Sequence, residues 1–186
     1  MKLILGSSSV FRQKVLRERG INFDIIEPNI DEKKVRTLHN EDTPIVLSYA
    51  KSQAVIKKIT EPAIIITCDQ VIVCNGEILE KPEHIDEIRR WYTMYAQHPV
   101  HYINGITVYN TENQASLTAQ EISIANFKEI PDSFINEQFS KGDILKCCGA
   151  ISDETHDTYG TLIQGSKESV IGIPVDFIMD MIKKIE

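Results

Sequence analysis

The sequence lacks several features that would assign it to a structural class at once. No stretch approaches the roughly 18 apolar residues of a membrane-spanning helix, and the short apolar run in MKLILGSSS is not long enough for a signal peptide. No Pro/Gly/Ser-rich linker, repeat or low-complexity segment divides the 186 residues. We therefore expect one domain over residues 1–186, a cytoplasmic location and no membrane partner.

Metal-binding patterns and a positive net charge are also missing. The four cysteines form no C-x-x-C pair and the five histidines form no H-E-x-x-H motif, so neither a disulfide framework nor a zinc site is indicated. Lys and Arg total 20 against 27 Asp and Glu, which gives a net charge of −7. Because binding polymeric nucleic acid needs a broad basic surface, this balance argues against such a partner. Any phosphate site must be local.

The most informative stretch that is present reads AIIITCDQVIVCNGEILEKP, from Ala63 to Pro82. Its apolar start predicts a buried strand with Asp69 at the C-terminal end, where open α/β sheets place their ligand sites. Asn75-Gly76 is a preferred two-residue hairpin turn, and the returning strand would bring Lys81 back near Asp69. An acid and an ammonium group in one cleft suit a substrate with phosphates and a divalent metal. The alternative is an aspartate that only caps a turn.

A second candidate for phosphate binding lies near the N-terminus. A strand at Lys2–Leu5, a small-residue loop and a following helix form an anion site, because free backbone N–H groups and the helix dipole point at the loop. Ser7 and Ser9 add hydroxyl groups to that loop, and Arg12 lies in the first helical turn. The Walker P-loop pattern is absent, and plain helix capping by the serines is the alternative interpretation.

The rest of the chain predicts alternating helices and strands. Hydrophobic spacing and Pro/Gly signals indicate helices that begin at Thr43, span Asp86–Tyr95, lie between Pro131 and Gly142 and span Val175–Lys184, with strands at Phe23–Ile26, Pro99–Tyr109 and Gln114–Phe127. The inward face of the first helix is predicted to hold Val46, Leu47, Ala50, Ala54 and Val55, and that of the last to hold Phe177, Ile178, Met181 and Ile182. The mixture predicts an α/β domain.

Five sequence blocks resemble, in order and spacing, the Maf family of nucleotide pyrophosphatases. They are ILGSSSVFRQKVL, NIDEK, ITCDQVIVCNGEILEKP, CCGAISDE and VIGIPVDFI. The resemblance covers nearly the whole chain, and it implies hydrolysis of a nucleoside triphosphate between the α and β phosphates. It also implies a twisted mixed sheet with flanking helices and two lobes around a cleft, similar to the inosine-triphosphatase-like fold.

The resemblance implies a role for each residue at a matching position. Ser7 and Ser9 match the family's opening serines, Arg12 its phosphate-binding arginine, Glu32 its I-[DE]-E acid, Asp69 its catalytic aspartate and Lys81 its K-P lysine. Asp69 would activate the attacking water, and Asp69 and Glu32 would share Mg²⁺ or Mn²⁺. The expected partner is a small-molecule nucleotide, and a homodimer is left open.

Two departures from the family pattern bear on turnover. Val10-Phe11 replaces the usual Pro-Arg or Pro-Trp, and Gln53 stands where the family has a lysine. Lys51, two residues away, is predicted to point about 200° round the helix from position 53. Because a missing cation would weaken the neutralisation of phosphate charge, a nucleotide-binding module with reduced or lost turnover is an alternative function.

Residues outside the phosphate site bear on the choice of nucleotide. Gln70 after Asp69, an aromatic Phe11 and the late Ser-x-Glu with Glu154 resemble the subgroup that acts on 7-methyl-GTP, whereas D-T and Y-G-I-Q mark the dTTP/UTP subgroup. A methylated guanine is cationic, so an aromatic face and an accepting carboxylate would favour it. We expect Phe11, Gln70 and Glu154 to line the base end of the cleft, away from Arg12. The alternative places Phe11 in the core and Glu154 in solvent, and a dTTP/UTP pyrophosphatase is the alternative function.

Overall fold

The computed structural model describes residues 1–35 and 41–186. The strands of this described part are Lys2–Leu5 (β1), Asp24–Ile25 (β2), Ala63–Cys74 (β3), Glu77–Leu79 (β4), Val100–Asn110 (β5), Ser116–Phe127 (β6) and Gly160–Gln164 (β7). Its α-helices are Val10–Glu18 (α1), Glu32–Val35 (α2), Thr43–Ile56 (α3), Ile85–Tyr95 (α4), Asp132–Lys141 (α5), Asp153–Tyr159 (α6), Lys167–Val170 (α7) and Val175–Lys183 (α8). Short 3₁₀ turns lie at Ile144–Lys146 and Cys148–Ala150.

The strands form one seven-stranded mixed sheet. Its order is β2-β1-β3-β5-β6-β7, and β4 pairs with β3 outside this path. β1 runs parallel to both β2 and β3, whereas β4 is antiparallel to β3 and β7 is antiparallel to β6. The predicted mixed α/β class is therefore confirmed. In the described part of the chain, no helix has the length and apolar character needed to cross a membrane.

β3 is longer than predicted. It continues for 12 residues, and every residue in it except the half-buried Gln70 is buried. Asp69 therefore lies inside the strand, and the expectation that it ends the strand is wrong, because the polar residues at 67–70 did not interrupt the pairing of a strand covered on both faces. The predicted turn is confirmed, since Asn75 and Gly76 have φ values of 49° and 75°, as a two-residue hairpin requires.

The chain divides into two compact units. The first consists of Met1–Gln70, Ile103–Glu121 and Lys167–Glu186, and the second of Val71–Tyr102 and Ile122–Ser166. The first unit holds α1, α2, α3, α7 and α8, and the second holds α4, α5 and α6. Two units agree with the two lobes expected from the sequence, and a cleft between them stays a prediction.

Within the first unit, successive residues of β3 face opposite ways. Ile64, Ile66 and Cys68 share an apolar cluster with residues of α1 and α8. Ile65 packs in a separate cluster with Val55 of α3. Because side chains alternate along a strand, Asp69 follows Ile65 onto the α3 face.

The second unit confirms two predicted helices and adds two elements. α4 buries Ile88, Trp91, Tyr92 and Tyr95, as its spacing predicts. α5 ends at Gly142, which adopts a left-handed φ of 76°. α6 and β7 have no predicted counterpart, because DETHDTY and GTLIQ carry too few apolar residues to show a period.

Candidate active site

The centre of the candidate site is Lys51, which lies on the buried face of α3. That face holds Thr43, Pro44, Leu47, Ser48, Lys51, Ser52 and Val55. Lys51 is only 8% exposed, whereas Val46, which was predicted to face inward, is 46% exposed. The expectation that Lys51 points away from the site is therefore wrong. The reason is that the buried face is polar in its middle, so apolar spacing finds Leu47 and Val55 but misses the polar residues between them.

Lys51 joins the two carboxylates that the sequence predicts to converge. Its Nζ lies 2.6 Å from Asp69 Oδ1 and 2.9 Å from Glu32 Oε1. Asp69 is 7% exposed, while the Glu32 side chain at the start of α2 is 45% exposed. Asp69 Oδ2 is also buried and has no hydrogen-bond partner among residues 1–35 and 41–186. The site therefore offers one buried carboxylate oxygen that is held and one that is available.

Polar contacts fix α3 against β3 and β5, and so place Lys51 beside Asp69. Thr67 Oγ1 donates a 2.7 Å hydrogen bond to the Ser48 carbonyl, and the hydroxyls of Ser48 and Thr107 are 3.1 Å apart. Gly105 permits a close approach, because a Cβ there would lie 2.1 Å from the carbonyl carbon of Pro44. Any larger residue at 105 would push the helix away from the sheet.

The N-terminal loop has the strand-loop-helix form that the sequence predicts. Gly6 N–H donates a 2.8 Å hydrogen bond to the Ile66 carbonyl, which ties the loop to β3. Ser9 caps α1, with its Oγ accepting from the Arg12 N–H at 3.4 Å, and Ser7 Oγ accepts from the Ser9 N–H at 3.2 Å. The serines therefore do cap the loop and helix. Accepting these bonds leaves each hydroxyl hydrogen able to donate to a phosphate oxygen.

The guanidinium of Arg12 is anchored by one hydrogen bond, and it has a buried N–H group that is available to a ligand. Its Nη1 donates a 2.6 Å hydrogen bond to the Cys68 carbonyl. Its Nε is buried and has no partner within the part of the chain that the structure describes. Since an unpaired buried N–H is costly, an anion at this position would be stabilised. The neighbouring Cys68 thiol is not a nucleophile, because burial raises its pKa to about 11.

Gln70 lies beside Arg12, which corrects the expectation that it lines a distant base end. A Cβ on Gly172 would lie 3.1 Å from Arg12 Nη2 and 3.4 Å from Gln70 Cδ, so both side chains adjoin this glycine. The reason is strand geometry: Cys68 and Gln70 project from one face of β3, and Arg12 binds the backbone of Cys68.

Phe11 and Gln53 can now be placed. Phe11 is 47% exposed on α1, so the alternative that it belongs to the core is wrong. Gln53 is half-buried on α3. Lys51 supplies an ammonium group to both carboxylates, and the effect of the missing cation at position 53 on phosphate binding stays a prediction.

Lys81 and Glu154 belong to the second unit, and their contact with a nucleotide stays a prediction. Lys81 is exposed between β4 and α4, and its charge partly offsets the burial that raises the pKa of the Cys147 thiol to about 11. Glu154 Oε2 accepts a 2.8 Å hydrogen bond from Gln138 Nε2 and lies 3.5 Å from Lys141 Nζ. Glu154 is therefore paired with α5, rather than simply solvated.

The carboxylates fit a hard divalent cation only with help from a substrate. Within the described residues, no group of three or more His, Cys, Asp and Glu side chains could hold a metal. Mg²⁺ is often bound by one or two carboxylates together with substrate phosphates, and it retains several waters. Asp69 and Glu32 meet that lower requirement, because they are two carboxylates that converge on one cation, the Lys51 ammonium.

Comparison with known proteins identifies relatives along nearly the whole chain. A 7-methyl-GTP pyrophosphatase of Dictyostelium discoideum is 34% identical, over 98% of this chain and 96% of its own length. A dTTP/UTP pyrophosphatase of Vibrio vulnificus is 29% identical, over 94% and 93%. The solved structure of a dITP/XTP pyrophosphatase from Mycobacterium abscessus matches 70% of this chain and 75% of its own chain at 9% identity. Its TM-score of 0.36 is too low for the match to support a fold or a function. A family model described as Maf-like protein matches residues 2–185, and the chain belongs to that family.

Proposed function

We propose that this protein, as one domain, is a nucleoside triphosphate pyrophosphatase that releases a monophosphate and pyrophosphate by cleaving the α–β bond. The observation that carries the proposal is the convergence of Asp69 and Glu32 on Lys51, with Asp69 Oδ2 buried and without a partner in the described part of the chain. Membership of the Maf-like family, and relatives named for this activity, support the same reaction.

The residues divide the work between water and phosphate. Lys51 holds Asp69 Oδ1, which leaves Oδ2 to accept the proton of the attacking water. The Arg12 Nε–H and the hydroxyls of Ser7 and Ser9 bind phosphate oxygens at the positive end of α1. Lys81 is assigned to the phosphates by family resemblance.

The proposed cofactor is Mg²⁺ or Mn²⁺, held by Asp69 and Glu32 together with phosphate oxygens. When bound, the cation neutralises charge on the phosphates and orients them. Lys51 would remain beside the same carboxylates and limit their mutual repulsion. Chelation should then abolish pyrophosphate release, while the fold stays intact because residues 1–35 and 41–186 contain no three-ligand site that would depend on the metal.

Asp69→Asn tests the assignment directly. The amide keeps the size of the side chain but cannot act as a general base, so kcat should fall on the order of 10²- to 10⁴-fold. Pyrophosphate release from a panel of triphosphates with Mg²⁺ or Mn²⁺ is the measurement, and circular dichroism monitors folding. Asp31→Asn, one residue before Glu32, is the matched control. An active Asp69→Asn enzyme would refute the role.

For the substrate, we propose 7-methyl-GTP ahead of dTTP or UTP. The exposed Phe11 precedes Arg12 on α1, and the Dictyostelium relative carries the same substrate in its name. If Phe11 stacks on a cationic purine, Phe11→Ala removes about 1 to 3 kcal/mol of binding, more for 7-methyl-GTP than for UTP. Glu154→Gln should affect guanine substrates most only if Glu154 leaves Gln138 to bind the base. Equal losses on both nucleotides would favour the dTTP/UTP alternative.

A nucleotide-binding module without turnover is the competing function. It predicts binding of triphosphates with no pyrophosphate release, and recovery of release in Gln53→Lys. The ammonium of Lys51 on both carboxylates favours the enzyme. A cytoplasmic location, a homodimer and the absence of a polymeric nucleic acid partner stay predictions from the sequence.

A further inference from the structure

Two side-chain amides hold the end of the short helix α7. Gln70 Nε2 donates to Asn104 Oδ1 at 3.0 Å and to the carbonyls of Ser169 and Val170 at 2.9 and 3.1 Å. Asn104 Nδ2 donates to the Ser169 carbonyl at 2.9 Å and to Glu121 Oε2 at 3.0 Å. Because backbone carbonyls only accept hydrogen bonds, both NH₂ groups must face them. The orientation of both amides is therefore determined, and the last carbonyls of α7 gain partners beyond the helix.

The turn that follows α7 lies against the guanidinium of Arg12. Gly172 has a left-handed φ of 91°, and its N–H donates to the Ser169 carbonyl at 3.0 Å. A Cβ at Gly172 would lie 3.1 Å from Arg12 Nη2 and 3.4 Å from Nε. Arg12 Nη1 bonds to the Cys68 carbonyl. The guanidinium is thus bonded to β3 and adjacent to the Gly172 turn, and its buried Nε–H has no partner within residues 1–35 and 41–186.

We propose that Gln70 and Asn104 are positioning residues for Arg12: they fix the Gly172 turn, and the turn fixes the guanidinium. This inference rests on the proposed function, because it takes the ligand of Arg12 to be the triphosphate. An arginine side chain loses much rotamer freedom when it is ordered. A guanidinium that is already held in place binds phosphate without that loss, and its geometry depends on the residues that support it. Gln70 then acts on the phosphate end of the site and does not read the base.

The first test separates positioning from base recognition. Gln70→Met keeps the length of the side chain but removes the amide, so the turn loses its support. We expect kcat/KM to fall about 10- to 100-fold, as for a misplaced binding group, by the same factor for 7-methyl-GTP and UTP. In an Arg12→Ala background, Gln70→Met should have little further effect. Gln120→Met is the matched control, since Gln120 lies on β6 and its Nε2 donates a 2.8 Å hydrogen bond to the backbone carbonyl of Glu41.

The second test observes Arg12 without activity. In protein labelled with ¹⁵N-arginine, the buried Arg12 Nε–H should give a slowly exchanging NMR signal, assigned by its loss in Arg12→Ala. Gln70→Met and Asn104→Leu should shift this signal and speed its exchange. Gly172→Ala should do the same, because it leaves both amides in place but puts a methyl group against the guanidinium. An unchanged signal in all three variants would overturn the proposal.

Kinetic outcomes can also overturn it. A loss that is several-fold larger for 7-methyl-GTP than for UTP would make Gln70 a base-reading residue. A full loss in the Arg12→Ala background would show that Gln70 acts elsewhere. If Arg12→Ala alone hydrolysed triphosphates normally, the proposed role of Arg12 would fail, whereas the NMR signal would still report whether Gln70 and Asn104 hold the side chain.

Discussion

Two helices of the first unit lie on opposite faces of β3, and they bury opposite kinds of side chain. α8 buries Val175, Ile178, Met181 and Ile182. α3 buries Ser48, Lys51 and Ser52 along its middle. The strand between them sends Cys68 into the apolar cluster shared with α8, and sends Asp69 to Lys51. One face of the strand therefore supplies stability, and the other holds the charges that the chemistry needs.

The two faces of β3 contribute differently to the free energy of folding, because one buries apolar side chains and the other buries charges. Burying an apolar side chain contributes about 1.5 to 3 kcal/mol. A buried ion pair contributes little net stability, because removing both charges from water costs about as much as their attraction returns. Removing one partner of such a pair is strongly destabilising, since it leaves the other buried charge uncompensated. The polar face is thus sensitive to change, although it is not what holds the fold together.

The largest effect should come from Lys51→Met, which makes the α3 face resemble the α8 face. Asp69 and Glu32 then lose their shared ammonium, which leaves the buried Asp69 carboxylate without its positive partner. We expect kcat to fall on the order of 10²- to 10³-fold and the free energy of unfolding to fall by about 3 kcal/mol. Pyrophosphate release, corrected for the folded fraction from urea unfolding, is the measurement.

Gln53→Met on the same helix is the comparison for Lys51→Met, since it removes a half-buried polar side chain without removing a charge. Lys51→Arg provides a second comparison, because it keeps the charge but not the compact ammonium. It should restore most of the stability and little of the activity. A Lys51→Met protein with normal turnover would remove Lys51 from the site.

The next largest effect should come from Ile178→Ala on α8. Ile178 is fully buried in the cluster that contains Cys68, so the substitution leaves a cavity. We expect a loss of about 2 to 5 kcal/mol in the free energy of unfolding, with kcat per folded molecule unchanged. Phe177→Ala is the control, because Phe177 is 36% exposed and should cost much less. A large fall in kcat for folded Ile178→Ala would break the division between the two faces.

The same comparison explains what the sequence could predict. In α8, apolar spacing correctly predicts Ile178, Met181 and Ile182, and it fails only at the partly exposed Phe177. In α3 it predicts the helix and the buried Leu47 and Val55, but it includes the exposed Val46 and misses Ser48, Lys51 and Ser52, because polar contacts with β3 and β5 also hold polar residues inward. Hydrophobic periodicity reports burial in apolar surroundings, and it carries no information about a buried polar face.

For the candidate site, family resemblance and local signals predicted most residues but not their contacts. Arg12, Glu32 and Asp69 were predicted, and the structure brings Glu32 and Asp69 together at Lys51. Lys51 itself was missed. Ser48, Lys51 and Ser52 lie at helical spacing on a clearly predicted helix, and this unusual polar stripe could have indicated a buried polar site. The neighbourhood of Gln70 was not predictable, because Asn104 and Gly172 are distant in sequence and meet it only in the folded sheet.

A smaller effect is expected in the pH dependence of the free energy of unfolding, through the Cys68 thiol on the apolar face of β3. Burial raises the pKa of Cys68 from 9.0 to about 11, so above pH 9 the thiol ionises in the unfolded chain before it does in the folded protein. The folded state then binds more protons, and the free energy of unfolding should fall with rising pH by roughly 1 kcal/mol per pH unit for this thiol. Cys68→Ala should reduce that slope between pH 9 and 10, measured by urea unfolding in reductant.

The value at pH 7 serves as the control for Cys68→Ala, since a cavity lowers stability by a similar amount at every pH. Cys74 and Cys147 also have pKa values raised to about 11 by burial, so part of the slope should persist in the variant. An identical slope in Cys68→Ala and wild type would mean that Cys68 is hydrated in solution, contrary to its place in the apolar cluster.

The smallest effect should come from Val46→Ser, which tests whether Val46 faces inward, as the sequence predicts, or outward, as the structure has it. If Val46 were inward, losing its two methyl groups and burying a hydroxyl would cost more than 1 kcal/mol. Val46 is 46% exposed, and valine and serine have similar helix propensities, so we expect a change of less than about 0.5 kcal/mol. Leu47→Ser, at the next position on the buried face, should destabilise the protein strongly. Urea unfolding of the pair therefore tests which of these two adjacent side chains α3 turns inward, and similar large losses in both variants would place Val46 inward as well.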